Sequence, residues 1–183
     1  MHKPLLLLFT VFLFTSFNRP FANTFVAENA IVSFVSKANL ETIVAQSKEL
    51  KGSLDIQKRT YSITIPICSF EGFLNALQKK HYCERYVEGA KYPTASFKGK
   101  IIEDIDLSVP GTYSFRSKGI LSVHGVDKER IIETKAIVKN GKIAIDSKFS
   151  ILLEDHGIKI SSMNSIVISK TVAVDVKINL IPG

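Results

Sequence analysis

The chain holds only two thiols, Cys68 and Cys83. Their spacing is far wider than the C-x-x-C of a dithiol redox centre, which leaves two readings: a disulfide that closes a loop, or a Cys83 buried as a small hydrophobe. The first requires an oxidising compartment. His81, Cys83 and Glu84 bring three kinds of metal donor into four residues, but without the histidine pair at i and i+4 that sets two ligands on one helix face. Asp155-His156 has the composition of half a proton relay; no serine stands in a G-x-S-x-G elbow for it to activate, and Gly157 makes a turn the simpler role. His124-Gly125 reads as a strand running into a turn. Glu103, Asp104 and Asp106 sit among turn residues, where nothing would desolvate one carboxyl as an acid and keep another ionised as a base. Gly99-Lys100 and Gly141-Lys142 lack the upstream glycine and following hydroxyl of a phosphate loop. No catalytic residue, metal site or cofactor is assigned, and the residue types point away from catalysis.

The elements that carry these residues are mostly strands. Val172, Val174, Val176, Ile178 and Leu180 face one way while Ala173, Asp175, Lys177 and Asn179 face the other, the period-two pattern of a strand with one buried face. Tyr61, Ile63, Ile65 and Ile67 alternate with Ser62, Thr64 and Pro66, and Ile143, Ile145, Ser147, Phe149, Ile151 and Leu153 repeat the pattern. Further strands are predicted over 24–27, 30–38, 41–47, 51–57, 94–103, 111–123 and 129–138, joined by short turns such as Lys58-Arg59, Asn140-Gly141 and Val109-Pro110-Gly111. Such a set of antiparallel strands closes either as a two-sheet sandwich or as a barrel, and alternation alone leaves both open.

One segment breaks the strand rhythm. Ser69 is placed to cap a helix with Phe70, Phe73, Leu74 and Leu77 on one face, Glu71 in its first turn and Lys79 and Lys80 in its last. A second short helical piece follows over His81 to Val87, and Tyr92-Pro93 returns the chain to extended structure. This insertion is the expected functional rim.

At 183 residues, 45% of them hydrophobic, the chain has enough for one domain. Leu5 to Phe17 is nearly all apolar, follows His2 and Lys3, and leads to Ala22. This is a secretory leader pattern, too short for the roughly 20 apolar residues of a membrane-spanning helix. Cleavage after Ala22 divides the chain into a signal peptide, 1–22, and a domain, 23–183, that is periplasmic or secreted. The formal charge of +7 is spread among alternating signs, without a Lys/Arg block. A nucleic-acid groove is therefore not expected, whereas peripheral contact with an anionic envelope surface is compatible with the charge.

Several segments, in order, resemble the YceI-like family of secreted, lipocalin-like barrels. They are Val32-Ser33-Phe34, the passage Ile65 to Phe70, the stretch NALQKKHYCERYVEGAKYPTASFKG from Asn75 to Gly99, SKGILSVHGVDK from Ser117 to Lys128, and LEDHGIKI from Leu153 to Ile160. The chain departs from the family in the residues around His81 and in lacking tryptophan. The resemblance implies an all-β fold, an eight-stranded antiparallel barrel with a short helical insertion, which binds a polyisoprenoid or other long-chain lipid in an apolar cavity. It assigns Phe34, Tyr61, Ile63, Phe73, Leu77, Phe97, Phe115, Leu121, Phe149 and Ile151 to the wall or mouth of that cavity, and Tyr82, Arg85 and Tyr86 to its rim. The alternative is a non-catalytic structural or envelope-stress interaction protein whose barrel is filled by its own side chains. Either is compatible with a homodimer.

Overall fold

The computed structural model describes residues 23–183; the leader read at 1–22 lies outside the described residues. Nine strand segments follow in order: β1 (Thr24–Lys37), β2 (Thr42–Ser47), β3 (Lys51–Asp55), β4 (Thr60–Pro66), β5 (Thr94–Ile101), β6 (Gly111–Val123), β7 (Val126–Lys139), β8 (Lys142–Leu152) and β9 (Thr171–Pro182). All pairings are antiparallel, and β1 pairs β9 from Phe25↔Pro182 to Val35↔Ala173, which closes the sheet into a barrel. The strands predicted at 24–27 and 30–38 are one strand, bent by a bulge between Ala27 and Asn29. Along the other edge of β1, β3 pairs its beginning and β2 its end. These two short segments act as one interrupted stave, so nine segments make an eight-stranded wall. A sandwich is excluded.

The turns follow their sequence chemistry. His124-Gly125 and Asn140-Gly141 are two-residue hairpin turns in which all four residues have positive φ, between 53° and 70°, as a type I′ turn requires. Inward positions are mostly apolar, with Ser36, Ser117, Thr134 and Ser147 as buried polar exceptions. One pole is sealed by Phe25, Leu107, Ala136 and Ile143, each almost wholly buried. At this pole the two ends of the described chain also meet: the Gly183 N–H donates to the Thr24 carbonyl at 2.9 Å.

The opposite pole carries the helical insertion. The helix expected from Ser69 onward does not form there. Gly72 has φ +107°, and its two-residue neighbour Phe70 is extended. Glu71 forms a bridge with Gln46 on the free edge of β2, through hydrogen bonds of 2.7 and 2.8 Å. Edge pairing outcompetes the helix because a helix would leave β2's backbone groups unpaired. The helix α1 instead spans Ala76–His81, and the Asn75 side chain accepts from the Gln78 N–H at 2.9 Å as its cap. The hydroxyl of Ser69 donates to the Pro66 carbonyl and also bonds Ser47. A π-helical turn, Tyr82–Tyr86, extends α1.

β7 and β8 pair only from Thr134↔Ser147 to Lys139↔Lys142. Above that point they part, and a 3-10 turn at Leu153–His156 enters the notch. It is fixed by Arg130 to Asp155 at 2.6 Å and by the His156 Nδ1–H donating to the Val126 carbonyl at 3.1 Å. His156 is completely buried. From there residues 157–170 run as a strap across the open pole.

Candidate functional site

The barrel encloses one long cavity of about 570 Å³, within the range of small-molecule sites. It arises from the alternation itself: inward residues of β4, Tyr61, Ile63 and Ile65, face inward residues of β9, Val172 to Leu180, across the lumen. Of the residues assigned to the wall or mouth, Phe34, Tyr61, Ile63, Phe73, Leu77, Phe97, Phe115, Leu121, Phe149 and Ile151 all line it. Tyr82 and Tyr86 line it too. Arg85 does not: it is exposed on the outer side of the π-helical turn, which turns the neighbouring tyrosines inward and so points this side chain to solvent. The filled interior of the structural alternative is not what this barrel has.

Near the mouth, Phe34, Phe70, Phe73 and Tyr82 form an aromatic cluster. Phe34 stacks on Tyr82 with ring centroids 5.6 Å apart, and Tyr82 lies 5.0 Å from Phe73; such pairs add about 0.5–1.5 kcal/mol each beyond area burial. The Tyr82 hydroxyl donates to the Ile67 carbonyl at 2.9 Å, and burial raises its pKa, so it acts here as a neutral donor. Cys68 and Cys83 form a disulfide, with Cα atoms 5.2 Å apart, which ties the end of β4 to the π-helical turn that carries Tyr82 and Tyr86.

Deeper in the lumen the wall becomes partly polar. The Thr134 and Ser147 hydroxyls bond each other at 2.9 Å, and Ser117 lies on the same inward belt. Tyr61 stacks obliquely on Phe97 at 5.1 Å. Its hydroxyl rests over Gly99 and Gly119, which face each other on β5 and β6. A Cβ at Gly119 would stand 2.4 Å from the Lys98 carbonyl oxygen and 2.8 Å from the Tyr61 hydroxyl, so the close approach of wall and tyrosine requires glycine there. The hydroxyl is buried with no hydrogen-bond partner. Burial raises its pKa. It is an unpaired donor held against the glycine wall, in a lumen that also carries the Ser117, Thr134 and Ser147 hydroxyls.

The mouth is stitched by polar groups. The Gln78 side chain accepts from the Leu74 N–H at 2.9 Å and donates to Glu41 at 2.6 Å. On the strap, the Leu40 N–H donates to the Ile166 carbonyl at 2.9 Å and the Asn164 amide donates to the Tyr86 hydroxyl at 3.2 Å. Sequence reasoning missed the strap residues Asn164, Val167 and Ile168, which line the cavity, because 157–170 has neither helical nor strand periodicity to place it. The inward face of β9 was legible as a buried face, and its role as cavity wall follows only from barrel closure.

Of the residues weighed for chemistry, His81 lines the cavity mouth, whereas His124, Glu103 and Asp104 stand apart from it. His124 places one ring nitrogen 3.0 Å from the His156 carbonyl and the other 2.8 Å from Glu88, and it serves the β6–β7 turn. Glu103 pairs with Arg116, and Asp104 with Arg59, at the surface. Among the described residues no group of three or more His, Cys, Asp or Glu side chains is arranged to hold a metal ion.

A closed antiparallel barrel with an apolar lumen and a helical insertion at its mouth defines a lipocalin-like architecture. The sequence profile of the YceI-like domain matches residues 24–180, and the chain belongs to that family. No curated protein matches it in sequence. Its fold is similar to that of a polyisoprenoid-binding domain from Saccharophagus degradans implicated in plant cell wall breakdown, with a TM-score of 0.75 at 17% identity over 88% of this chain and 99% of that one. It is similar also to BcnA of Burkholderia cenocepacia, with a TM-score of 0.69 at 14% identity over 82% and 95% of the two chains. The YceI protein of Campylobacter jejuni has a TM-score of 0.61 at 17% identity, over 78% and 86%.

Proposed function

We propose that the protein binds the chain of a polyisoprenoid or similar amphiphilic lipid, non-covalently, inside its barrel. The observation that carries this reading is the continuous apolar lumen of about 570 Å³, lined by inward residues from every part of the wall. Burying a hydrocarbon tail there removes about 25 cal/mol of unfavourable hydration per Å². The fold likeness to a polyisoprenoid-binding domain supports the ligand class. No bond is made or broken; the protein shelters and orients. The leader-like start of the sequence and the Cys68–Cys83 disulfide support action outside the cytoplasm, in the periplasm or a secreted state.

The test is solvent extraction of protein purified from its native envelope, followed by mass spectrometry, together with titration of the folded protein with a fluorescent isoprenoid alcohol. Recovery of an isoprenoid lipid and saturable probe binding are expected. An extract free of lipid together with no probe binding would overturn the reading.

A further inference from the structure

The mouth of the cavity is ringed by large apolar side chains that the fold leaves in water. Leu40 is 75% exposed, Leu74 81%, Leu77 60%, Met163 81% and Ile166 45%. They come from three separate stretches of chain, yet they form one collar. Gln78 joins the Leu74 backbone to Glu41, next to Leu40, and Leu40 is itself bonded to Ile166 on the strap. Scattered exposed apolar residues are ordinary, whereas a cluster at the opening of an apolar cavity marks an interaction surface.

The charge at this pole selects the partner. Lys37, Lys80, Arg85, Lys159 and Lys170 are exposed here, and none has a carboxylate partner among the described residues. Of the carboxylates at the same pole, Glu71 is paired by Lys79 and Asp155 by Arg130, while Glu41 and Glu88 are hydrogen-bonded by Gln78 and His124. Glu84, Asp127 and Glu154 have no ion-pair partner among the described residues, and with exposed Lys91 and Lys128 added, basic side chains still outnumber acidic ones at this pole. An apolar collar flanked by unpaired cations complements an anionic bilayer, whose acyl layer takes the apolar groups while its phosphates meet the ammonium and guanidinium groups.

We infer that the open pole is a docking surface for anionic phospholipid membranes, on which Leu40, Leu74, Leu77, Met163 and Ile166 insert so that a lipid passes between bilayer and barrel without crossing water. The inference rests on the cavity reading for its purpose, though the docking itself is measured separately. A long hydrocarbon chain leaves a bilayer through water very slowly, and a collar that seats the mouth on the membrane removes that step.

The experiment is co-flotation of the full chain with vesicles of phosphatidylethanolamine and phosphatidylglycerol, alongside binding of a soluble short-chain fluorescent isoprenoid alcohol in buffer without vesicles. The wild-type protein should float with the vesicles. The triple variant Leu40→Ser, Leu74→Ser, Met163→Ser, whose side chains lie outside the cavity wall, should bind the vesicles roughly tenfold more weakly and bind the soluble probe unchanged. Lys37→Gln with Lys80→Gln and Lys170→Gln should erase the preference for these vesicles over pure phosphatidylcholine. Equal flotation of wild type and triple variant, or no flotation of the wild type, would overturn the inference. So would a wild-type dimer in sedimentation that ignores vesicles and falls apart in the triple variant, since the collar would then be covered by a second copy. Flotation that depends on the collar, combined with failed probe binding, would uphold the docking surface and count against the cavity reading instead.

Discussion

Tyr61 carries a buried hydroxyl on the cavity wall. The group is unpartnered and held over two glycines whose faces leave room for nothing larger. A buried donor without an acceptor costs stability, so Tyr61→Phe is expected to leave the empty protein as stable or to stabilise it by up to about 1 kcal/mol, read from urea unfolding. The same change should weaken a ligand that carries an oxygen acceptor at its buried end by about 1 kcal/mol and leave a pure hydrocarbon unaffected, read by fluorescence titration. A marked loss of stability in the empty protein would show that the hydroxyl is satisfied. The inward direction of Tyr61 is legible in the sequence, since it alternates with Ser62 and Thr64 on the face shared with Ile63 and Ile65. Its position over Gly99 and Gly119 is not, because that depends on the registers of β4, β5 and β6, which period-two alternation leaves free to slide by two. Arg85 shows the same limit from the other side: its neighbours Tyr82 and Tyr86 face the lumen, and only the π-helical geometry of the turn separates their direction from its own.

At the scale of elements, the insertion over 67–87 is where local propensity and tertiary pairing disagree. Phe70, Phe73, Leu74 and Leu77 have helical spacing, yet Phe73 is half-buried at the mouth, Leu74 is in solvent, and the helix begins only at Ala76. The strand edge of β2 claims Glu71, and Gly72 releases the chain from helical dihedrals. Nothing in a single sequence announces that a distant edge needs a partner. What remains after this competition is a six-residue helix, too short to be stable by itself. It is held by its Asn75 cap, by the Tyr82 hydroxyl on Ile67 and by the disulfide. The bond closes a loop with a sequence separation of 15, for which loop-closure entropy gives about 3 kcal/mol. Cys68→Ser with Cys83→Ser is expected to lower unfolding stability by about that amount, measured in urea, and dithiothreitol should lower the wild-type melting temperature towards that of the double variant. An unchanged midpoint in both experiments would remove the disulfide from the account of how the mouth is held.

For the whole molecule, barrel closure converts alternation into function: the same inward residues that would fill a sandwich instead surround a lumen. The notch between β7 and β8 is the place where that closure is completed by a turn rather than a strand, and it depends on His156. Burial holds the His156 imidazole below its ordinary pKa of 6.5, opposed in part by its bond to Val126. As pH falls, the unfolded chain therefore takes up this proton before the folded one does. The contribution to stability is complete above about pH 6.5 and declines as pH drops through that value. Urea unfolding at pH near 7.5 and near 5 should show this decline in the wild type, and His156→Gln should flatten it; an identical pH slope in the two proteins would show that the group titrates normally. The described residues begin and finish together at the sealed pole, where Gly183 is bonded to Thr24. A linker, fusion partner or solid support joined directly before Thr24 or after Gly183 is therefore attached at the base of the vessel and leaves its opening directed outward.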